Sequence, residues 1–205
     1  MLNSIIKKGI LFVISAPSGA GKTTIARMIL KTVPHIHPSI SHTTRSPRND
    51  EIDGKDYHFT SVEKFNEMID RGEFIEWAKV FGNLYGTSIH NLDIVDKEKK
   101  DLLLVIDVQG AEQLKKLYQN GCYIFILPPS LKKLEERLKD RGLDTEEVIK
   151  KRLNTAPDEI SHYKSYDYVI INNHRNEAAQ QLQSIIFAER CRHPNITLNL
   201  SDFQS

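Results

Sequence analysis

Cysteine is nearly absent: Cys122 and Cys191 are the two present in 205 residues. Two thiols build no disulfide framework. Cys122 lies in an apolar run and reads as a small buried hydrophobe. Their scarcity fits a reducing, cytoplasmic setting. Long hydrophobic runs are missing too, since no segment approaches the roughly 18 apolar residues that a membrane helix needs. Lys7-Lys8 followed by Gly9 to Ala16 mimics a signal peptide. A glycine-containing loop follows directly and cleavage would destroy it, so the run reads as the first core strand. Neither sign of charge is in excess. Lys plus Arg total 28 and Asp plus Glu 27, a net charge of +1, which excludes the basic excess of a general nucleic-acid binder. Charge must therefore be used locally. Metal-ligand clusters are lacking as well. His35 and His37 flank Ile36, but no Cys or further His completes a ligand set, and both read as surface residues. The chain shows no internal repeat and no low-complexity linker. Its length suits one domain with inserted lobes.

What is present begins at Ile10 to Thr24, ILFVISAPSGAGKTT. An apolar run leads into Ala16-Pro17-Ser18-Gly19-Ala20-Gly21-Lys22-Thr23-Thr24, and a helical pattern follows at once. Strand, glycine loop and helix start, in that order, direct backbone N–H groups at a phosphate. Lys22 can reach the β- and γ-phosphates of a nucleotide, and the Thr23 hydroxyl can ligate Mg²⁺. The strict pattern has Gly at the first position, where this chain has Ala16.

The first helix is expected from Lys22 to Thr32, with Ile25, Met28, Ile29 and Val33 inward and Pro34 as its stop. A polar stretch follows, in which Arg45-Ser-Pro-Arg48 sets two guanidinium groups close together. Arginine forks match phosphate geometry. Ser61 reads as the cap of a helix with Val62, Phe65, Met68 and Ile69 inward, ended by Gly72. Short strands are expected around Phe74 to Trp77 and Gly82 to Thr87.

Leu102 to Ile106 reads as a buried parallel strand ending in Asp107, where open α/β sheets hold ligands. Cys122 to Leu127 and Tyr168 to Ile171 read as further strands. Ser130 is expected to cap a helix with Leu131, Leu134 and Leu138 inward. Asp144 with Glu147 suggests a capping box for the next helix, which Pro157 is expected to kink. Asn176 is expected to cap the last helix, with Leu182, Ile185, Ile186 and Phe187 on its apolar face. Residues 193–205 lack periodicity and read as a loose tail. Strands alternating with helices imply a parallel sheet covered on both faces, and segments 41–96 and 130–155 interrupt that alternation as inserted lobes.

Ser41-His-Thr-Thr-Arg45-Ser-Pro-Arg48, Gly54-Lys-Asp-Tyr57, Phe74-Ile-Glu76-Trp77, Gly82-Asn-Leu-Tyr85-Gly-Thr87, Asp107-Val-Gln-Gly110 and Phe125-Ile-Leu-Pro-Pro-Ser130 accompany the loop in order. With these motifs the chain closely resembles the guanylate kinase family over residues 9–190, leaving 191–205 as a tail. The resemblance implies a P-loop NTPase three-layer α/β fold, with a parallel core sheet, an inserted GMP-binding lobe at 41–96 and a lid at 130–155. It implies transfer of the γ-phosphoryl of ATP to GMP, and also dGMP, with Mg²⁺. The partners are then GMP and ATP, not nucleic acid or membrane.

By that similarity the loop from Ala16 to Thr24 holds ATP, with Asn172 beside adenine. Arg45, Arg48, Tyr57 and Tyr85 hold the GMP phosphate. Ser41, Glu76, Thr87 and Asp107 read guanine. Arg137, Arg141 and Arg152 belong to the lid and, with Lys22 and Arg45, meet the transferring group. One departure stands out: the family commonly has Asp-x-Asp where this chain has Val105-Ile106-Asp107.

The chemistry supports these roles. Guanine's Watson–Crick edge presents N1–H and N2–H₂ donors, natural partners for a carboxylate, and Glu76 beside the Trp77 ring is a suitable one. A general base is not required, because a phosphate monoester has its second pKa at about 6 and is largely dianionic at pH 7. Phosphoryl transfer needs positioning and positive charge. Two other readings remain open at this point: a kinase for a different nucleoside monophosphate, and a non-catalytic phosphopeptide-binding scaffold of the same fold.

Overall fold

The structure is a computed structural model and describes residues 5–7, 9–48, 51–142 and 144–198. The first half of the chain forms β1 (Ile5–Lys7), β2 (Leu11–Ser15), α1 (Lys22–Thr32), β3 (Ile36–Pro38), β4 (His42–Thr43), β5 (His58–Phe59), α2 (Val62–Asp70), β6 (Phe74–Val80) and β7 (Asn83–Ser88). The second half forms α3 (Leu92–Asp96), β8 (Asp101–Val105), α4 (Val108–Leu117), β9 (Cys122–Leu127), α5 (Leu131–Asp140), α6 (Glu146–Ser161), β10 (Tyr168–Ile171), α7 (Arg175–Arg190) and β11 (Ile196–Leu198).

The core is a five-stranded parallel sheet in the order β10-β9-β2-β8-β3. Its three inner strands, β9, β2 and β8, read as nearly unbroken apolar runs because they are buried on both faces, whereas the edge strand β10 leaves Val169 and Ile171 exposed. Phe12, Ile14, Leu103, Ile124 and Ile170 point to one side, where α1 and α7 cover them. Leu11, Val13, Leu102, Leu104 and Tyr123 point to the other, against α3 and α4. Phe12 and Ile14 are fully buried, and burial of such a side chain stabilises by about 1.5–3 kcal/mol. From β2 the chain runs outward to β3, and from β8 it crosses back to β9. The carboxyl ends of β2 and β8 therefore flank the point where strand order reverses, the usual ligand crevice of such sheets.

A second sheet, in the order β5-β4-β7-β6, is built from the segment between β3 and β8. Ser61 caps α2 by accepting from Lys64 N–H, as expected. Phe65 and Met68 are buried, but Val62 is 49% exposed because it sits at the helix start, before the buried stripe begins. The helical pair α5/α6 has a small core of its own, Leu134, Leu138, Ile149 and Ala156. Leu131, also expected inward, is exposed at the first turn of α5.

Two expected caps differ. Asp144 does not cap α6, because its carboxylate is drawn into ion pairs with Arg152 and Arg141; Thr145 caps instead, accepting from Val148 N–H. Asn176 does not cap α7, because His174 holds the cap position and the helix starts at Arg175, two residues earlier than expected. α6 continues for four residues past Pro157 to Ser161. Phe187 is exposed, with the Arg190 guanidinium 5.7 Å from its ring. Residues 196–198, expected to be loose, form β11 and pair antiparallel with β1; residues 199–205 lie outside the described residues. Among the described residues no helix is long and apolar enough to cross a membrane.

Candidate active site

A cavity of about 890 Å³ opens at the carboxyl ends of β2 and β8. The loop after β2, the second sheet and the α5/α6 pair all contribute to its walls. On the loop side, Ala20 N–H donates to Pro17 O at 3.1 Å, closing a turn. Gly21 then precedes α1 with φ 103°, and a Cβ there would lie 2.5 Å from Asn172 Nδ2. Both the backbone angle and the close approach call for glycine. Asn172 in turn donates from Nδ2 to Ala20 O at 2.7 Å, tying the end of β10 to the loop. Lys22 folds back over the loop, donating to Ala16 O at 2.9 Å. Thr23 and Thr24 stand exposed at the first turn of α1 and line the cavity.

Burial pulls the Lys22 ammonium below its ordinary pKa, and the carboxylates of Asp107 and Glu159 work against that. Val105, where the family commonly has an acid, presents an apolar wall. Lys22 nevertheless has a second carboxylate, because Glu159 of α6 lies near. Glu159 accepts from Ser18 N–H at 3.2 Å. Burial raises its own pKa, with Ser18 N–H, Lys22 and Arg152 opposing and Asp107 adding.

On the side of the second sheet, Glu76 is 4% exposed. Consecutive residues of a strand normally face opposite ways, yet Ile75 and Glu76 are both buried. A register shift between Phe74 and Glu76 explains this, since a bulge re-aims a side chain. Trp77 then points away and is exposed, so its ring does not shelter Glu76 as expected. Its backbone is clamped to α4 instead, with Gln113 Nε2 donating to Trp77 O at 2.8 Å. The shelter for Glu76 is α4 itself: a Cβ on Gly110 would lie 2.2 Å from Glu76 Oε2. Burial raises the Glu76 carboxyl to about 7, the Asp107 charge adding to this and hydrogen bonds from Thr87 opposing it. Asp107 accepts from Gln109 N–H at 2.8 Å and Gly110 N–H at 3.1 Å, capping α4 beside Glu76.

Arg45 is held ready by Glu51, whose two oxygens each accept from Nη2 at 2.8 Å. Its guanidinium lies 5.4 Å from the Tyr57 ring, and Tyr57 meets Tyr85 edge-on at 6.1 Å. Glu51 also accepts from Arg48 N–H at 2.8 Å. One carboxylate thus organises both arginines of the Arg45–Arg48 stretch.

The third wall is α5/α6. Arg137 donates to Asn172 O at 2.7 Å. Arg152 donates to Ser18 Oγ at 2.6 Å and to Asp144 at 2.9 Å, while Arg141 lies 3.6 Å from Asp144. Burial and the nearby charges of Arg48, Arg152 and Arg45 lower the Arg141 pKa, with Asp144 opposing. Arginines of two separate units therefore converge on one space.

Of the residues singled out in the sequence, Pro17, Ser18, Gly19, Gly21, Lys22, Thr23, Thr24, Ser41, Arg45, Arg48, Tyr57, Glu76, Tyr85, Asp107, Arg137, Arg141, Arg152 and Asn172 all line this cavity. Ala16, Ala20 and Thr87 are buried and do not line it. Ala16 and Ala20 act through their carbonyls. Thr87 stands behind the wall, its Oγ1 3.4 Å from Ser41 Oγ. Glu51, Phe81, Asp144 and Glu159 were not singled out. Glu51 could have been read from its closeness in sequence to Arg45. Phe81 lines the cavity but its partner Arg152 lies far along the chain, Asp144 reads locally as a cap, and Glu159 meets Ser18 across 141 residues.

Among the described residues no three His, Cys, Asp or Glu side chains group as metal ligands. The oxygen donors on the cavity wall, the Thr23 hydroxyl and the Asp107 carboxylate, suit a hard cation that takes most ligands from phosphate and water, as Mg²⁺ does. The residues present therefore fit that ion.

The sequence matches the family model for guanylate kinase over residues 8–189. It is 50% identical over 186 residues to a guanylate kinase of Geobacter metallireducens, covering 91% of this chain and 92% of the relative. The crystal structure of guanylate kinase from Anaplasma phagocytophilum superposes with a TM-score of 0.82 at 37% identity, covering 98% of this chain and 96% of that one. Shikimate kinase from Bacteroides thetaiotaomicron, at 13% identity and a TM-score of 0.52, shares the fold alone.

Proposed function

This chain belongs to the guanylate kinase family and transfers the γ-phosphoryl of ATP to GMP, and from that premise we propose which residues do the work. The loop from Ala16 to Thr24 cradles the ATP phosphates, with Lys22 on the transferring group and Asn172 toward adenine. Segment 41–96 is the acceptor lobe and 130–155 the lid. Arg45, Arg48, Tyr57 and Tyr85 grip the GMP phosphate. Glu76 and Asp107 accept from the guanine edge, with Ser41 completing the base site and Thr87 supporting it from behind the wall. dGMP, which carries the same base and phosphate, is a second acceptor. Thr23 would hold Mg²⁺, the remaining ligands being phosphate and water, and the ion supplies charge neutralisation on the phosphates.

The observation that carries the reading is the convergence of like charge. Arg141 of the lid is opposed by Arg48 and Arg45 of the acceptor lobe. Such a cluster is costly until a polyanion enters it, and its arginines then stabilise the charge on the transferring phosphoryl. Lys22 and the arginines orient the dianionic GMP oxygen in line with the γ-phosphorus, and closure excludes water that would otherwise compete as acceptor. We propose a cytoplasmic setting, where both nucleotides are at hand and the free thiols of Cys122 and Cys191 stay reduced.

The test is ADP release with GMP, dGMP, AMP, UMP and dTMP in parallel, for the wild type and Lys22→Met. GMP and dGMP should support turnover and the others little. Lys22→Met should abolish it with the melting curve unchanged. Substantial turnover by Lys22→Met would overturn the assignment of the loop.

A further inference from the structure

Phe81 stands where the backbone argues against it. Val80 pairs with Asn83, so Phe81 and Gly82 form the two-residue turn between β6 and β7. Both have positive φ, 47° and 90°. A turn of this kind favours Asn, Asp or Gly at its first position, because an L side chain in the left-handed region crowds its own backbone. Burial does not explain the choice. Phe81 is only partly buried, and among the described residues it joins none of the hydrophobic clusters.

The ring does have one well-defined neighbour. Phe81 lines the cavity, and the Arg152 guanidinium lies 4.9 Å from its ring centroid, within cation–π range. The other grips on Arg152 are hydrogen bonds from its edge, one to Ser18 Oγ and one to Asp144. Those two bonds leave rotation of the guanidinium about their common line unopposed, and a ring nearby limits it. Phe81 comes from the tip of the acceptor lobe and Arg152 from α6. The contact therefore spans the cavity.

We propose that Phe81 is a positioning residue that fixes the Arg152 guanidinium and joins acceptor lobe to lid when the cleft is closed. The inference rests on the assignment of Arg152 to the transferring phosphoryl. It explains why a strained, bulky residue occupies the turn: outliers of this kind persist where the surrounding structure uses them. The contact adds little to binding of either nucleotide alone. It acts on the step in which Arg152 must be aligned.

Phe81→Gly removes the ring and also relieves the backbone, so the variant folds and its melting temperature is not lowered. Its kcat should fall about five- to tenfold, with the KM values for GMP and ATP within about twofold of wild type. Phe81→Tyr keeps the ring and should keep kcat. Arg152→Lys tests the premise separately and should lower kcat by itself. Adding Phe81→Gly to Arg152→Lys should then cost less than about twofold more. A Phe81→Gly enzyme with wild-type kcat would overturn the proposal, as would effects that multiply fully in the double variant. Wild-type kcat in Arg152→Lys would instead remove the role of Arg152, and the proposal with it.

Discussion

Burial of Glu76 gives it two effects that run against each other. Its folded pKa, about 7, lies above the ordinary 4.5. The folded protein holds the extra proton between those values, so the stability this group supplies is full below pH 4.5 and is lost as pH rises to about 7. The whole change is on the order of 3 kcal/mol. Glu76→Gln should therefore stabilise the free protein at pH 8 by about 1–3 kcal/mol, read from denaturant melts. The same substitution sets a donor against a guanine donor and should weaken GMP binding by about 2–4 kcal/mol, read by calorimetry, with ATP binding little changed. In the wild type the KM for GMP should rise as pH falls below about 7, where the acceptor becomes protonated. Gly110→Ala probes the same carboxylate from behind, since its Cβ would lie 2.2 Å from Oε2. It should raise the KM for GMP at least about tenfold, or 1.4 kcal/mol, without altering that for ATP. The place of Glu76 in the cavity was legible in the sequence from its motif. Its surroundings were not, because the bulge that buries Glu76 beside Ile75 depends on the pairing of β6 with β7.

At the scale of elements, α6 acts as an arm. Arg152 and Glu159 are seven residues apart, two helical turns, and so share a face. They hold Ser18 from both sides, one donating to its hydroxyl and the other accepting from its N–H. Asp144 at the other end draws Arg141 toward Arg152. Arg141→Lys keeps the charge and loses the planar fork. It should lower kcat at least about tenfold, roughly 1.4 kcal/mol, and leave calorimetric binding of ATP or GMP alone nearly unchanged. Loss of affinity with kcat intact would assign Arg141 to ground-state binding. Element positions were largely readable: α1, β9 and β10 span the residues expected from their apolar patterns. Caps were read less well. Asp144 looks like a cap locally but is taken up by Arg152, eight residues away. Glu159 is 141 residues from Ser18 in sequence, and no local pattern reveals such a contact.

In the whole molecule a nearly neutral chain sets Lys22 and six arginines around one cleft. Alternating strands and helices made the parallel sheet legible, and the reversal of strand order fixes where its ligands belong. The pairing of β1 with β11 was not legible, because short strands far apart in sequence carry no periodicity that a loose tail would lack. The contact of Phe81 with Arg152 was hidden because the two lie far apart in sequence. What unites these features is a single cavity, proposed to read a guanine edge at one end and to hold ATP phosphates at the other. The most direct measurement of that claim is the ratio of kcat/KM for GMP over AMP, in the wild type and in Glu76→Gln at pH 8. The ratio should be large in the wild type and fall at least about thirtyfold in the variant, about 2 kcal/mol, almost wholly through loss of GMP turnover. An unchanged ratio in Glu76→Gln would contradict the account.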